Sequence, residues 1–339
     1  MQTRALGKTG LLVSAVGFGG IPIRKSRTED AVRLIEAALD AGITFFDTAQ
    51  GYGDSEVKIG QVAAHKRDAF ILATKSPCRT AAQAEAHVNA ALRRLQTEVI
   101  DLYQVHNVTK RHELEEVLAP AGALEGLIRL KERGKIRHVG ITGHDRSLLK
   151  EALSRADAFE TVQFPFNIVE DGPEERSLLQ AAQQSGVGTI IMKPLAGGVI
   201  PEAALSLRWI LHQGVNTVIP GMIRHEEVAD NARVGDNPEP LSRAELAQLK
   251  QSVRHLEAAF CRRCMYCMPC PQGIHIALIQ ELGDKVTVQV EQIQSFCREK
   301  YAEQEHTVED CADCGECEEK CPYDLPVRAM LREKHRRLT

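Results

Sequence analysis

The feature that most constrains this chain is an alternation, repeated eight times, of short β-branched and apolar runs with segments of helical period. The runs are LVSAVGFGG (12–20), TFFDTA (44–49), AFILATK (69–75), VIDLYQVH (99–106), IRHVGIT (136–142), TVQFPFN (161–167), GTIIMKP (188–194) and NTVIPG (216–221). Apolar residues at helical spacing fill the gaps, as in EDAVRLIEAALDAG (29–42), AQAEAHVNAALRRL (82–95) and ELEEVLAPAGALEGLIRLKERG (113–134). Several such segments stop on glycine, at Gly42, Gly134, Gly186 and Gly214, as helices do where the chain must turn left-handed. Strands that read as nearly continuous apolar runs are covered on both faces, hence parallel and wrapped by helices. Eight β/α repeats over about 230 residues predict a closed (β/α)8 TIM barrel rather than an open doubly wound sheet. An open dinucleotide-binding sheet calls for GxGxxG after its first strand, and GFGGIP (17–22) fails that pattern.

A length of 339 residues exceeds one such barrel, and the ten cysteines show where to divide it. Cys78 is alone before residue 260, and the other nine lie between Cys261 and Cys321. The expected domains are therefore a barrel over 1–258 and a small cysteine-rich unit over 259–339. With 42 basic and 46 acidic residues the chain has no broad positive field for nucleic acid or an anionic membrane. No stretch reaches the roughly 18 apolar residues of a membrane span. The opening residues MQTRALGKTGLLVSAVGFGG lack the order of a signal peptide, so a cytoplasmic enzyme is expected.

Chemistry in β/α barrels sits at the C-terminal ends of the strands. Those ends carry Asp47, Lys75 and His106 on successive runs, with Tyr52 in the loop after Asp47. A lone lysine or histidine there is more often a satisfied polar group; four titratable groups at successive positions point to one reactive rim. A phenol with a pKa of about 10 exchanges protons poorly at neutral pH, but an adjacent ammonium favours the phenolate. Asp47 would hold Lys75 charged, and His106 would orient a substrate oxygen or relay the proton.

The stretches RALGKTGLLVSAVGFGG (4–20), FFDTAQGYGDSE (45–56), ATKS (73–76) and YQVHN (103–107) resemble the aldo-keto reductase family, over about residues 1 to 235. The resemblance implies that Asp47, Tyr52, Lys75 and His106 form a catalytic tetrad, with Tyr52 the proton donor to a carbonyl that receives hydride from a nicotinamide. It also implies that LGKTGLLVS (6–14) is a hairpin plugging the barrel bottom. Gln163 matches the glutamine that holds the nicotinamide carboxamide. The family's Ser-Asn pair becomes Thr142-Gly143, keeping one amide contact and losing one, and Met192 replaces a stacking aromatic. In IPGMIRHEEVADN (219–231), Gly221 stands where a lysine would neutralise a 2′-phosphate and Glu227 where an arginine would clamp it, while Asp230 and Asn231 match the adenine contacts. A carboxylate repels a 2′-phosphate but can hydrogen-bond a ribose diol. The cofactor is thus NAD(H) or NADP(H), with NADH favoured and Arg224 the residue able to reverse that preference.

The tail contains CRRCMYCMPCP (261–271) and CADCGECEEKCP (311–322). The second has the spacing of the bacterial ferredoxin run, whose first three thiolates hold one 4Fe-4S cluster while the fourth reaches to another. Paired CxxC also makes tetrahedral zinc sites, which is the competing reading; a disulfide scaffold does not suit a chain expected to stay in a reducing compartment. The largely helical spacer between the runs, including KVTVQVEQIQSFCREKYAEQ (285–304), resembles the alpha-helical ferredoxin type. Crossed ligation would give Cys261, Cys264, Cys267 and Cys321 to one cluster, and Cys311, Cys314, Cys317 and Cys270 to the other. Cys297 and Cys78 read as packed thiols. The whole arrangement resembles the subgroup of aldo-keto reductases with a ferredoxin-like C-terminal domain.

The expectation is an NAD(P)H-dependent oxidoreductase acting on a small carbonyl or alcohol, with a TIM barrel, a small mostly α-helical ferredoxin-like domain and two 4Fe-4S clusters. A ferredoxin or flavoprotein is the candidate redox partner, and no nucleic acid or membrane is expected. The alternative is an electron-transfer or redox-sensing protein whose barrel binds nucleotide with little turnover.

Overall fold

The computed structural model describes residues 1–254, 260–263, 265–287 and 291–339, with the side chains of 292 and 293 left aside. The chain divides into two compact units, Met1–Val253 and Arg254–Thr339. The first begins with an antiparallel hairpin, β1 (Thr3–Ala5) and β2 (Leu12–Ser14), paired Thr3 to Ser14. Eight parallel strands follow in simple sequence order: β3 (Phe18–Gly19), β4 (Phe45–Asp47), β5 (Ile71–Ser76), β6 (Ile100–Val105), β7 (Ile136–Thr142), β8 (Thr161–Pro165), β9 (Gly188–Met192) and β10 (Thr217–Val218). Parallel bridges Val16–Val218 and Gly19–Gly221 bring the first and last of these together. Gly17 N donates to Val218 O and Gly19 N to Pro220 O, at 2.8 and 2.9 Å, so the sheet closes as a (β/α)8 barrel.

Two expectations need correction. The run 12–20 is not one strand: its first part pairs back on Thr3–Ala5, and only Phe18–Gly19 joins the barrel. Leu6 explains the division. It is fully buried with Val13, Phe45, Ala73 and Leu102, so the hairpin supplies an apolar floor to the barrel. Segment 113–134 is two helices, Arg111–Leu118 and Ala123–Glu132, because Pro120 cannot continue the first and Ala121 turns at φ +59°. The four glycines expected as helix stops all have positive φ, between +64° and +82°.

In the second unit, helices Ile276–Lys285, Glu291–Ala302 and Val327–Leu338 surround a small core that includes Ile279, Leu282, Tyr301 and Leu331. Cys297 is fully buried in that core. Among the described residues no helix is long and apolar enough to cross a membrane.

Candidate active site and cysteine-lined cavities

Strand register sets the rim. Lys75 on β5 pairs with Gln104 on β6, and Thr142 on β7 with Gln163 on β8, so alternate inward positions meet at one end of the barrel. Asp47, Lys75, Gln104 and Gln163 are all buried there. Lys75 Nζ donates to Asp47 Oδ2 at 2.6 Å and to Thr48 O at 2.8 Å. Gln104 Nε2 donates to Gln163 Oε1 at 2.9 Å and, more distantly, to Asp47 Oδ1 at 3.4 Å; Gln163 Nε2 reaches Asp47 Oδ2 at 3.5 Å. Gly140 makes room for this layer: a Cβ there would stand 3.1 Å from Gln104 Cγ and 2.1 Å from Thr161 Oγ1.

Tyr52 lies in the loop after β4, held from both sides. Tyr52 N donates to Ala49 O, Gln50 N donates to Lys75 O, and Ser55 Oγ donates to Gly20 O at 2.8 Å. The buried Lys58 Nζ ties the neighbouring loop down through Ile23 O, Ser26 O and Asp54. Lys75 Nζ lies 5.1 Å from the centroid of the Tyr52 ring, and the His106 ring meets Tyr52 edge-on with centroids 5.9 Å apart. Asp47, Tyr52, Lys75 and His106 are thus brought into one group.

The electrostatics differ from the sequence expectation at Tyr52. Burial first, and then the Asp47 carboxylate, push the phenol well above its ordinary value, with Arg24 opposing. Lys75 is paired to Asp47 as expected, and the carboxylate of that pair acts on the phenol against the lowering expected of the ammonium. Within that pair, burial raises the Asp47 carboxyl and lowers the Lys75 ammonium, each opposed by the partner's charge. Burial, followed by the charges of Lys75 and Arg79, lowers His106 to about 3, so its imidazole is neutral at physiological pH. Arg79 also donates to the carbonyls of His106 and Asn107 at 3.2 and 3.1 Å, fixing the turn that carries the imidazole.

The remaining positions scatter along the rim. Thr142 is buried, and its hydroxyl accepts from Asn107 N at 2.9 Å. A Cβ on Gly143 would lie 2.5 Å from Val108 O, which explains why no asparagine stands there. Met192 ends β9 and is half-buried, packed against the apolar interior of the barrel. A Cβ on Gly221 would lie 2.6 Å from Pro22 Cγ, leaving no room for a lysine without movement of that loop. Glu227 caps the helix His225–Asp236: its Oε2 accepts from Ile223 N and Arg224 N at 2.8 and 3.2 Å, and its Oε1 pairs with Arg224. Asn231 is buried on that helix, whereas Asp230 is exposed and paired to Arg233.

Three rim residues, Gln104, Arg79 and Arg24, are absent from the set expected from sequence. Gln104 carries a readable signal: two residues before His106 on an otherwise apolar strand, it shares the inward face. Arg79 sits in a loop and Arg24 in the short 3-10 helix Pro22–Lys25, and no local pattern brings either to the rim.

In the second unit two small cavities, each of about 20 Å³, are lined by thiols. Cys261, Cys267 and Cys321 border the first; Cys270, Cys311, Cys314 and Cys317 border the second, which Cys267 also touches. Cys264 lies outside the described residues. None of the other nine cysteines is in a disulfide. Thiols from two distant sequence runs thus face a common space, and Arg263 N already donates to Cys261 Sγ at 3.4 Å.

A closed parallel barrel with a polar rim, joined to a unit with two thiol-lined cavities, defines a two-domain (β/α)8 redox protein. The sequence pattern of the aldo/keto reductase family matches residues 15–204, and that of a 4Fe-4S dicluster domain matches residues 260–326. The chain belongs to the aldo/keto reductase family and carries a C-terminal 4Fe-4S dicluster domain. It is 31% identical over 220 residues to L-galactose dehydrogenase of Arabidopsis thaliana, covering 60% of this chain and 68% of that protein. To 6-dehydroglucose reductase of Novosphingobium aromaticivorans it is 30% identical, covering 58% and 69%. Among solved structures, an aldo-keto reductase from Bacillus halodurans in its holo form superposes with a TM-score of 0.65 at 28% identity, covering 76% of this chain and 97% of that one. One from Klebsiella pneumoniae in complex with NADPH gives 0.64 at 26% identity, covering 74% and 95%.

Proposed function

We propose that this protein reduces a small carbonyl compound, or oxidises the matching alcohol, with a nicotinamide cofactor in the barrel, and holds two 4Fe-4S clusters in the tail. The observation that carries this reading is the buried Lys75–Asp47 pair at 2.6 Å beneath the Tyr52 ring, with a neutral His106 against that ring's edge. A phenol kept protonated by burial is an acid in the right state, and Tyr52 Oη gives its proton to the carbonyl oxygen. His106, uncharged, orients that oxygen as a hydrogen-bond donor. Lys75 and Asp47 stabilise the phenolate left behind, the ammonium by its charge and Asp47 by holding it in place. When bound, the reduced nicotinamide supplies a hydride to the carbonyl carbon. The residues present fit that group: Gln163 and Gln104 form a buried carboxamide pair beside Asp47, and Gln104 Oε1 is left without a hydrogen-bond partner among the described residues.

NADH is the cofactor we favour. Glu227 already occupies the amides of Ile223 and Arg224 and the Arg224 guanidinium, which a 2′-phosphate would otherwise use. Thr142, Met192, Gly221, Asp230 and Asn231 line the rest of the nucleotide path. In the tail, Cys261, Cys264, Cys267 and Cys321 hold one cluster and Cys270, Cys311, Cys314 and Cys317 the other. When bound, such clusters supply one-electron transfer. The dicluster match favours a second reading, in which the tail serves an external ferredoxin or flavoprotein. The deciding experiment is anaerobic oxidation of NADH and NADPH against a panel of aldehydes, with iron and acid-labile sulfide measured in the same sample. Turnover with NADH and about eight irons per chain support the proposal; nucleotide binding without turnover on any aldehyde favours the second reading.

A further inference from the structure

The two thiol-lined cavities are similar in size but differ in the polar groups that reach them. Gln280, on the helix Ile276–Lys285, lines the cavity of Cys261, Cys267 and Cys321 and is 1% exposed. Neither its Nε2 nor its Oε1 has a hydrogen-bond partner among the described residues. Its neighbours Ile276, Ala277 and Ile279 are apolar, and a leucine or methionine would complete such a helix face without the cost of burying an amide. Arg263 Nε, on the same cavity, is likewise buried and without a partner among the described residues, although the far end of that guanidinium faces Glu281 at 3.8 Å. The second cavity has no buried carboxamide among the described residues that line it. Its Gln272 is exposed, and its Arg328, tied through both terminal nitrogens to Asp313 and Glu318, has a buried Nε without a partner among the described residues just as Arg263 does, so the two cavities differ in Gln280.

We propose that Gln280 Nε2 donates a hydrogen bond to a sulfur of the cluster in the cavity of Cys261, Cys267 and Cys321, and that this bond raises the reduction potential of that cluster. The inference rests on the two-cluster reading of the tail. Adding an electron makes a thiolate-bound cluster more negative, and a fixed N–H donor stabilises the more negative state, so the donor moves the potential upward. The partnerless state of the amide is then a property of the protein part alone, completed when the cluster is present.

The test is an anaerobic dithionite titration of the full-length protein, followed by electron paramagnetic resonance. Gln280→Met keeps the volume and removes the donor. The expected result is a negative shift of one of two midpoint potentials, with the other unmoved and iron content at the wild-type level. In a Cys314→Ala background, which removes a thiol from the other cavity, the surviving signal is the one that shifts. Gln280→Glu, measured in the same way, places a carboxylate beside the cluster and shifts the same potential further negative; it decides the matter if the methionine variant takes up no iron. Unmoved potentials at full iron content overturn the proposal and mean that water partners the buried amide. A wild-type protein containing zinc, or no acid-labile sulfide, overturns the two-cluster reading itself, and is told apart before any titration begins.

Discussion

In the barrel, the floor is closed by Leu6, Val13, Phe45 and Leu102, aliphatic and aromatic side chains that need nothing but one another. In the tail, a core around Ile279, Leu282 and Leu331 is bordered by five partly buried cysteines, none of them in a disulfide, that face small cavities. The first unit completes its interior before any ligand arrives and places its reactive polar groups on top of it. The second leaves part of its interior to be filled by inorganic material. With roughly 80 residues, such a unit buries too little apolar surface to be robust alone, so cluster binding becomes part of its folding free energy. The contrast is between a fold that carries a site and a fold that requires one.

The largest effect should come from the barrel's rim. Tyr52→Phe removes the proton donor while leaving the ring that packs on His106 and Lys75. Carbonyl reduction should fall by about 10²–10⁴-fold, the usual contribution of a general acid. Nucleotide affinity should stay within a few-fold and iron content should not change. Undiminished turnover would remove Tyr52 from the chemistry.

Next in size is the tail's dependence on its ligand. Cys314→Ala should halve the iron, from about eight to about four per chain. It should also make the chain beyond residue 260 sensitive to protease while the barrel resists digestion. Protease resistance equal to wild type would show that the tail has a sufficient core without both clusters, and its contrast with the barrel would fail.

A matched pair of core truncations sharpens the comparison at the level of packing. Leu6 and Ile279 are both fully buried, one under the barrel and one in the tail. Each alanine substitution should cost about 2–5 kcal/mol in its own unit. Leu6→Ala should lower the barrel's unfolding midpoint in denaturant and leave iron retention alone, and Ile279→Ala should do the reverse. Iron loss from Leu6→Ala would mean that the two interiors are not independent.

Much of the barrel was legible because its strands are apolar on both faces and its helices end on glycines that must turn left-handed. The rim was legible because Asp47, Lys75 and His106 end successive strands. What escaped was set by packing rather than pattern. The run 12–20 carries no local mark of where the hairpin stops and the barrel begins; the division follows from Leu6 filling the floor. The rise at Tyr52 depends on burial and on the nearby Asp47 charge, and how deeply a loop side chain is packed cannot be read from residue spacing. Gly143 and Gly221 look in the sequence like lost cofactor contacts, yet a Cβ added at either would stand only 2.5–2.6 Å from a neighbouring atom. The meeting of thiols from the two cysteine runs follows from a ferredoxin spacing, whereas Gln280 lies in an ordinary-looking helix and only its missing partner marks it.

Acid should discriminate the rim in a smaller but measurable way. His106 titrates near 6.5 in an unfolded chain and is lowered to about 3 in the folded rim by burial and by Lys75 and Arg79. Between those values the unfolded chain binds the proton and the folded one does not. Stability attributable to the neutral imidazole is therefore complete above 6.5 and is lost progressively as pH falls toward 3. His106→Asn should flatten the fall in the barrel's unfolding midpoint between pH 7 and pH 4, relative to wild type, with the same readings above pH 7.

The smallest expected effect lies at the nucleotide end of the rim, and it asks whether the barrel's site is autonomous. Glu227 takes both a capping role, through Ile223 N and Arg224 N, and the charge of Arg224. Glu227→Gln keeps a side chain able to accept from the helix amides but removes the negative charge, so Arg224 is released to meet a 2′-phosphate. A new charge-assisted hydrogen bond at an exposed position, together with the relief of one repulsion, corresponds to a few-fold to about tenfold tighter NADPH binding, with NADH affinity nearly constant. The effect should be screened by salt, because Arg224 is exposed on the surface. It should also be the same in iron-loaded and iron-depleted protein, since the helix His225–Asp236 belongs wholly to the barrel unit. Tighter NADPH binding only in the loaded protein would tie the nucleotide site to the tail's clusters. Unchanged NADPH binding in both forms would place the 2′-position away from Arg224 and remove the ground on which NADH is proposed as the cofactor.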